Sequence, residues 1–288
     1  MTDESETFAA CVPSMQWKGR LGVPYQGSKN QIAKEIISIL PRGKRFVDLF
    51  AGGCAMTHAA MISGKYDTFL ANDLHGFGIR LFISAIKGEC NGRWKEWVSR
   101  EEFYAKRDKD PLISLCWSFG NNMSQYAYGE HIEEAKREQH IHFVKTGNKD
   151  ILVQGTTQCS ALERLQALER LQADFGKCDD FKYQDGDVVY CDPPYAAVSE
   201  SEGGYRFMKR AGMTFNNAAF WKWVDAQPYP IFVSEYTAPS GFSSIWSKSK
   251  IGLFKKTKDG AYHSHDEHLF IADRYADRYQ TDLFKCQY

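Results

Sequence analysis

Four residues at positions 192–195, Asp-Pro-Pro-Tyr, constrain the fold of this chain more than any other feature. They follow the apolar run 188–191, which is short, β-branched and aromatic and comes directly after the turn-like residues 184–187. Such a run predicts a buried strand of a parallel sheet, and ligands bind at the carboxyl ends of these strands. Each proline has a fixed φ and lacks an N–H, so the loop is stiff and its carbonyls stay available.

This loop suits the alkylation of an exocyclic amine. An adenine or cytosine amino nitrogen becomes nucleophilic only when acceptors draw its N–H bonds out of conjugation with the ring. Asp192 and the Pro193 carbonyl are candidate acceptors, Pro194 stiffens the loop, and Tyr195 offers a face for stacking. Taken alone, the four residues are equally compatible with a strand-end turn whose Asp acts like a helix cap.

A second group of motifs lies near the start of the chain. A strand-like run at 46–50 breaks at Ala51-Gly52-Gly53 and resumes as the helical stretch 54–61. The run 68–72 predicts a second strand, and Asp73 at its end is placed to accept hydrogen bonds from a ribose, although it also suits a helix N-cap. Because no G-x-G-x-x-G or phosphate-binding loop is present, the motifs favour a nucleoside without phosphates, with S-adenosylmethionine as the candidate.

Composition sets broader limits on the class of protein. The 288 residues, 43% of them hydrophobic, suffice for one large core or one core with an inserted domain. We find no run of about 18 apolar residues and no signal peptide in the polar start, so we expect a soluble protein of the bacterial cytoplasm, without membrane partners. The eight cysteines form no C-x-x-C pair, and His263, His265 and His268 lack a surrounding ligand set, so no metal is expected.

Net charge argues against non-specific binding to a polyanion. The 36 basic and 36 acidic residues cancel, so any contact with DNA must come from local patches. The best patch is the lysine-rich segment 241–260, which includes Lys255 and Lys256. A solvated loop or an edge strand blunted by lysines explains the same pattern.

In this order the motifs resemble those of the Dam-like, α-group adenine-N6 DNA methyltransferases, in particular members encoded by phages and prophages. The resemblance spans roughly residues 22–275 and is carried by residues 24–29, 48–53, 72–73 and 192–195, with support from 117–122 and 233–239. Ser28 stands where a second glycine is more usual, and Tyr25 where tryptophan is common.

The resemblance implies roles for the matched positions. Tyr25 and Lys29 would approach the methionine end of the cofactor, and Asp73 would hold the ribose. Phe181 would pack on the cofactor adenine, although a core position explains it equally well. The remaining residues implied at the cofactor are Asp48, Phe50, Ala51, Gly52 and Asp192.

The resemblance also divides the chain. It implies an α/β fold with a Rossmann-like S-adenosylmethionine-dependent methyltransferase sheet, formed by residues 22–84 and 173–288 after a polar tail at 1–21. A mostly helical target-recognition region at 85–172 would be inserted between the two parts. The tandem hexads at 161–172 predict a helix with a leucine stripe, and 197–205 predicts a mobile lid.

Candidate DNA contacts come from the same reasoning. The inserted region is rich in aromatic, basic and amide side chains, of which Asn suits adenine edges and Arg suits guanine or phosphate. A tyrosine-rich packing face is the alternative explanation for these residues. The candidates are Arg107, Asn121, Asn122 and Tyr126, with Lys255 and Lys256.

The predicted function is site-specific methylation of adenine N6 in double-stranded DNA, with the base flipped out of the helix. Cytosine N4, RNA or protein amines remain open as substrates. A DNA-binding protein of the same fold that has lost catalysis is the alternative from a different class.

Overall fold

The computed structural model describes residues 19–148, 153–168, 171–174, 176–195, 208, 210, 212–256 and 262–280. Within these residues, seven strands form one sheet in the order β3-β2-β1-β4-β5-β7-β6. The strands are β1 (Arg45–Asp48), β2 (Thr68–Asn72), β3 (Leu171–Asp174), β4 (Asp187–Cys191), β5 (Ile231–Glu235), β6 (Phe242–Lys256) and β7 (Tyr262–Ala272).

Strand direction brings the predicted motifs to one edge of the sheet. β1 to β5 run parallel to one another, whereas β7 pairs antiparallel with β5 and with β6. All five residues of β4 and of β5 are buried, as expected for central strands covered on both faces. The α/β class and the Rossmann-like sheet that the sequence predicted are confirmed.

Helices cover both faces of the sheet and form the inserted region. Asp110 and Asn216 cap their helices by accepting backbone N–H groups, and Pro111 occupies the first turn of its helix. The α-helices are α1 (Ala33–Ile39), α2 (Ala55–Met61), α3 (Phe77–Ile86), α4 (Arg100–Lys106), α5 (Pro111–Cys116), α6 (Glu130–Thr146), α7 (Gln154–Leu162), α8 (Asn217–Asp225) and α9 (Asp273–Gln280).

The inserted region shares its core with the sheet. Val23, Ala51 and Ala71 belong to the same buried apolar cluster as Trp117 of the insert. The predicted boundary between residues 84 and 85 falls inside α3, and the boundary between 172 and 173 falls inside β3. A division at these two positions would therefore cut through elements that hold both parts together.

The tandem hexads do not form the single leucine-striped helix that the sequence predicted. The first hexad completes α7 and continues as a 3₁₀ turn at Glu163–Ala167, whereas the second contributes Leu171 and Gln172 to β3. A three-residue leucine spacing fits the 3.0 residues per turn of a 3₁₀ helix better than the 3.6 of an α-helix. Backbone pairing of β3 with β2 then draws the second copy into the sheet.

Three further predicted segments fall only partly, or not at all, within the described residues. The segment 241–260 contains β6, an edge strand, through Lys256. The predicted lid at 197–205 and most of the predicted tail at 1–21 lie outside the described residues. No helix in the described part of the chain is long and apolar enough to span a membrane.

Candidate functional site

A cavity of about 410 Å³ opens at the carboxyl ends of the parallel strands. Its wall combines the glycine turn after β1, the residues that follow β2 and β4, and residues 25–29 from the start of the chain. Ligand sites in open α/β sheets occur at this edge, and the volume falls within the roughly 300–1,000 Å³ typical of small-molecule sites. Predicted residues in the wall are Tyr25, Lys29, Asp48, Phe50, Ala51, Gly52, Asp73, Asp192, Pro193, Pro194 and Tyr195.

The glycine turn is shaped by neighbouring protein groups. Gly52 has a φ of +47°, and a Cβ added there would lie 2.9 Å from Cε1 of Tyr25. A Cβ on Gly53 would lie 2.6 Å from the Cβ of Tyr25, and one on Gly78 of α3 would lie 1.8 Å from the Gly52 carbonyl oxygen. The glycines thus let Tyr25 and α3 approach the turn closely, and the Tyr25 ring then forms part of the cavity wall.

Asp73 links the ends of β1 and β2. Its Oδ2 accepts the Gly52 N–H at 3.0 Å, and its Oδ1 accepts the N–H groups of His75 at 2.9 Å and Gly76 at 3.1 Å. The side chain therefore closes the turn before α3 and holds the glycine turn in place. Since a carboxylate has about four acceptor positions, capacity remains for a hydroxyl in the cavity.

Asp48 is buried at the base of the cavity, with 1% of its surface exposed. Burial raises the pKa of its carboxyl to about 7, opposed by a hydrogen bond from Thr57 Oγ1 at 2.8 Å and reinforced by the charges of Asp192 and Asp73. Its second oxygen, Oδ1, is buried and has no hydrogen-bond partner among the described residues. Such an atom in a cavity wall suits a ligand that brings a donor or a positive charge.

Lys29, Asp192 and Tyr195 make direct contact at the end of β4. The Lys29 ammonium lies 2.6 Å and 2.7 Å from the two carboxylate oxygens of Asp192, and 4.6 Å from the centroid of the Tyr195 ring. Tyr195 is 4% exposed, and burial raises the pKa of its hydroxyl well above the usual value, so it stays a neutral phenol. Tyr236 packs edge-on against it, with the ring centroids 4.6 Å apart.

Several residues of the cavity wall were not predicted from the sequence, and two of them, Tyr236 and Glu267, contact Tyr195. Tyr236 directly follows β5, so the strand-end rule that located Asp73 and Asp192 also applies to it. Glu267 belongs to β7, which enters the sheet antiparallel, and it is 1% exposed. No local pattern marks that residue, because it reaches the cavity only through the order of the strands.

Charge in the cavity is predominantly negative. Four carboxylates line it, from Asp48, Asp73, Asp192 and Glu267, whereas Lys29 supplies the single Lys or Arg side chain among its described lining residues. Fields are focused in a cleft with walls of low dielectric, so such a lining favours a cationic ligand.

The structure places Phe181 away from the cavity. Its ring packs beside the cluster formed by β1, β4 and β5, and lies 5.8 Å from the guanidinium carbon of Arg45. Arg45 begins β1, so it lies at the amino ends of the parallel strands, whereas the cavity lies at their carboxyl ends. The chain runs back along the sheet here to begin β4, which carries Phe181 out of reach of the wall.

Three candidate DNA contacts are buried in the turn 118–126. Asn121 Nδ2 donates to the Leu115 carbonyl at 2.8 Å, and Asn122 Oδ1 accepts the Ser124 N–H at 2.9 Å. Tyr126 donates its hydroxyl to the Val98 carbonyl at 2.6 Å. With these atoms engaged inside the protein, the turn is a folded unit, and the three side chains have little polar surface to offer a base.

The basic candidates have different surroundings. Arg107 donates to the carbonyl of Ser124 and lies 4.7 Å from the Tyr104 ring centroid, so it supports the same turn from outside. Lys255 and Lys256 end β6, and their side chains lie outside the described residues. Met123 extends the turn 118–126 to the cavity wall.

The first half of the chain is similar to a known protein family. Residues 25–145 match the model of the family described as D12 class N6 adenine-specific DNA methyltransferase. The matched range includes the turn after β1, Asp73 and the turn 118–126, and it ends before Asp192.

The chain is also similar to a solved structure named "Putative methyltransferase yhhF from Escherichia coli". The two share 14% sequence identity over 89% of this chain and 94% of that chain, with a TM-score of 0.31. The strand order shows the α/β fold, and the family match indicates an enzyme. That match supports a DNA adenine methyltransferase enzyme, which acts with a methyl donor on a DNA substrate.

Proposed function

We propose that the chain transfers a methyl group from S-adenosylmethionine to N6 of a flipped adenine in double-stranded DNA, at a specific site. The observation that carries the proposal is the single cavity wall that joins Asp73 after β2 to Asp192 and Tyr195 after β4. We further propose that the enzyme is of the Dam-like α-group and of phage or prophage type, as its motif order suggests.

The cavity fits the proposed donor in charge and in hydrogen-bonding capacity. S-adenosylmethionine carries a sulfonium and an ammonium against one carboxylate, and its net positive charge suits a wall in which acidic side chains outnumber basic ones. Within the described residues, Asp48 Oδ1 and Ser28 Oγ are buried in this wall without hydrogen-bond partners. Tyr25, Lys29, Phe50, Ala51, Gly52 and Asp73 complete the set that would hold the donor, and Phe181 is left out of it.

Asp192 and the Pro193 carbonyl would accept the two N–H bonds of the target amino group. This localises the nitrogen lone pair, so no general base is required before attack, and the extra proton leaves afterwards to solvent. Bound S-adenosylmethionine would supply the methyl carbon, whose bond to sulfur breaks with its electron pair kept by sulfur as the N6–carbon bond forms. Flipping costs a few kcal/mol, which stacking on Tyr195 and these hydrogen bonds would offset.

We propose two elements for contact with DNA. The turn 118–126 reaches the cavity through Met123 and carries the exposed Phe119, which has a relative accessibility of 61%. Lys255 and Lys256 at the end of β6 would contact phosphates, which contribute affinity without sequence information. Arg107 would act indirectly, through its support of the turn.

The deciding experiment incubates the protein with unmethylated duplex DNA and S-adenosylmethionine labelled in its methyl group, then digests the DNA to nucleosides. We expect label in N6-methyl-2′-deoxyadenosine alone. Label in N4-methyl-2′-deoxycytidine would show that cytosine is the substrate in place of adenine, and label in added RNA or in protein would show that DNA is not the substrate. DNA binding without transfer would identify a catalytically silent protein.

A further inference from the structure

Glu267 lines the cavity from β7, far along the chain from the other acidic residues of the wall. It belongs to β7, where its neighbour His268 pairs with Glu235 of β5, and its side chain is 1% exposed. It lines the same cavity as Asp192. A carboxylate this deeply buried is costly unless it is paired, so its contacts need a functional or structural reason.

Two of those contacts are with Tyr195, which ends the loop 192–195, and with Lys29. The Tyr195 hydroxyl donates a hydrogen bond to Glu267 Oε1. The Lys29 ammonium lies 3.4 Å from the same oxygen, while it contacts the Asp192 carboxylate at 2.6 Å. One ammonium thus lies between two carboxylates and is closer to Asp192.

This arrangement conflicts with the role proposed for Asp192. Lys29 donates to both Asp192 oxygens, one of which the incoming amino group would need as an acceptor. The ammonium would also lie beside a nitrogen that becomes positive during transfer, which is unfavourable in a cavity of low dielectric. It covers the Tyr195 ring as well, at 4.6 Å from the centroid.

Glu267 offers the Lys29 ammonium an alternative partner, because its Oε1 already lies 3.4 Å from that nitrogen. A shift on the order of 1 Å would bring Lys29 to an ordinary hydrogen-bond length from Glu267 and lengthen its contacts with Asp192. The positive charge would then remain paired while the Asp192 oxygens become available. The Tyr195 hydroxyl, bound to the same carboxylate, would keep its ring in place during the shift.

We propose that Glu267 is a positioning residue that receives the Lys29 ammonium from Asp192 when the substrate amino group enters, and that fixes the Tyr195 ring. The inference rests on the proposed function, since it assigns Asp192 to the target amine. It assigns Glu267 no contact with the reacting atoms.

The first test compares variants that separate the two contacts of Glu267. Glu267→Gln keeps the size of the side chain and an acceptor for Tyr195 but removes the charge, and Tyr195→Phe removes only the hydroxyl. We expect Glu267→Gln to lower kcat by about tenfold or more with KM for the donor changed by less than about twofold, and Tyr195→Phe to lower kcat less. Equal decreases of kcat in the two variants, or a change in KM without a decrease of kcat, would contradict the proposed shift of the Lys29 ammonium from Asp192 to Glu267.

A double mutant tests the coupling directly. In Lys29→Met no ammonium needs a second partner, so adding Glu267→Gln should change kcat by less than about twofold. Multiplicative losses would show that Glu267 acts independently of Lys29 and would contradict the proposal. If Glu267→Gln does not fold, as judged by thermal unfolding, Glu267→Asp retains the charge on a shorter side chain and should keep more activity than Glu267→Ala.

A readout without turnover completes the test. In a crystal structure of the wild-type protein bound to unmethylated DNA and a non-reactive analogue of the donor, the Lys29 ammonium should lie at hydrogen-bonding distance from Glu267 and apart from Asp192. An ammonium still bound to both Asp192 oxygens beside a flipped base would refute the shift. A wild-type protein that yields no N6-methyl-2′-deoxyadenosine would refute the proposed function instead, which keeps the two failures distinct.

Discussion

Asp48 and Asp192 lie at the ends of adjacent strands but have different electrostatic surroundings. Asp192 makes a bidentate contact with the Lys29 ammonium, whereas Asp48 accepts hydrogen bonds from Thr57 and has one buried oxygen without a partner in the described part of the chain. The two acids therefore respond differently to substitution. Asp192 is paired with a neighbouring cation, whereas burial raises the pKa of the Asp48 carboxyl.

We expect Asp48→Asn to stabilise the protein at neutral pH and above. The pKa of Asp48 is raised from 3.8 to about 7 on folding, so its contribution to stability is fully present below pH 4 and is lost as the pH rises towards 7. The free energy of unfolding of the variant, relative to the wild type, should rise by on the order of 4 kcal/mol across that window.

Urea unfolding of both proteins at several pH values measures this difference. The amide retains an acceptor for Thr57, so the variant is a matched control for shape. A difference that does not change between pH 4 and pH 8 would show that Asp48 is ionised throughout.

We expect Asp192→Ala to abolish methyl transfer while the protein remains folded. Removing this acceptor should lower kcat by at least about 100-fold, the scale found for preorganised groups in active sites. Asp179→Ala, at an exposed acid of the same part of the chain, serves as the control. Transfer at the wild-type rate in a folded Asp192→Ala protein would exclude the proposed role of this carboxylate.

At the scale of elements, strand-end residues were predictable where local pattern and topology agree. Asp73 and Asp192 follow short apolar runs, and parallel strands place such residues at one edge regardless of the rest of the sequence. Glu267 was not predictable, because the insertion of an antiparallel β7 between β5 and β6 is set by tertiary pairing. The second hexad was wrongly predicted as helix for the same reason, since pairing with β2 outweighs its helix propensity.

The contact between α3 and the glycine turn leads to a prediction about helix packing. Gly78→Ala should gain about 1 kcal/mol in helix propensity. Its new Cβ would lie 1.8 Å from the Gly52 carbonyl oxygen, a backbone atom that cannot rotate away. Overpacking costs about 1–3 kcal/mol or more, so we expect net destabilisation.

The same substitution should weaken binding of the methyl donor, because the displaced turn is part of the cavity wall. Thermal unfolding and calorimetric titration with the donor measure the two effects. Ser84→Ala, on α3 but away from the turn, should change neither by much. A Gly78→Ala protein more stable than the wild type would contradict the close approach of α3.

At the scale of the whole molecule, the inserted region and the sheet form a joint core. One apolar cluster contains residues from the glycine turn, from β2 and from α3, α5 and α7. The Trp117 ring illustrates the density of this packing, since a Cβ on Gly155 of α7 would lie 2.3 Å from its Cδ2. The division predicted from the sequence therefore does not correspond to separate cores.

We expect the protein to unfold in one cooperative transition. Far-UV circular dichroism and tryptophan fluorescence should give superimposable urea curves, because a shared core unfolds as a unit. The fluorescence reports on both parts, with Trp94, Trp97 and Trp117 in the insert and Trp221, Trp223 and Trp246 in the sheet region. Two resolved transitions, or cooperative unfolding of an isolated 85–172 fragment, would show that the insert folds by itself.

The position of β7 has a consequence for synthesis on the ribosome. The chain emerges amino end first, so Lys29 and Asp192 are both available before Glu267 has been made. Until β7 pairs with it, β5 is an open edge with unpaired backbone groups, the kind of surface that invites association with other chains. Docking of β7 therefore protects the nascent sheet from aggregation in the same step that supplies the second carboxylate beside Lys29.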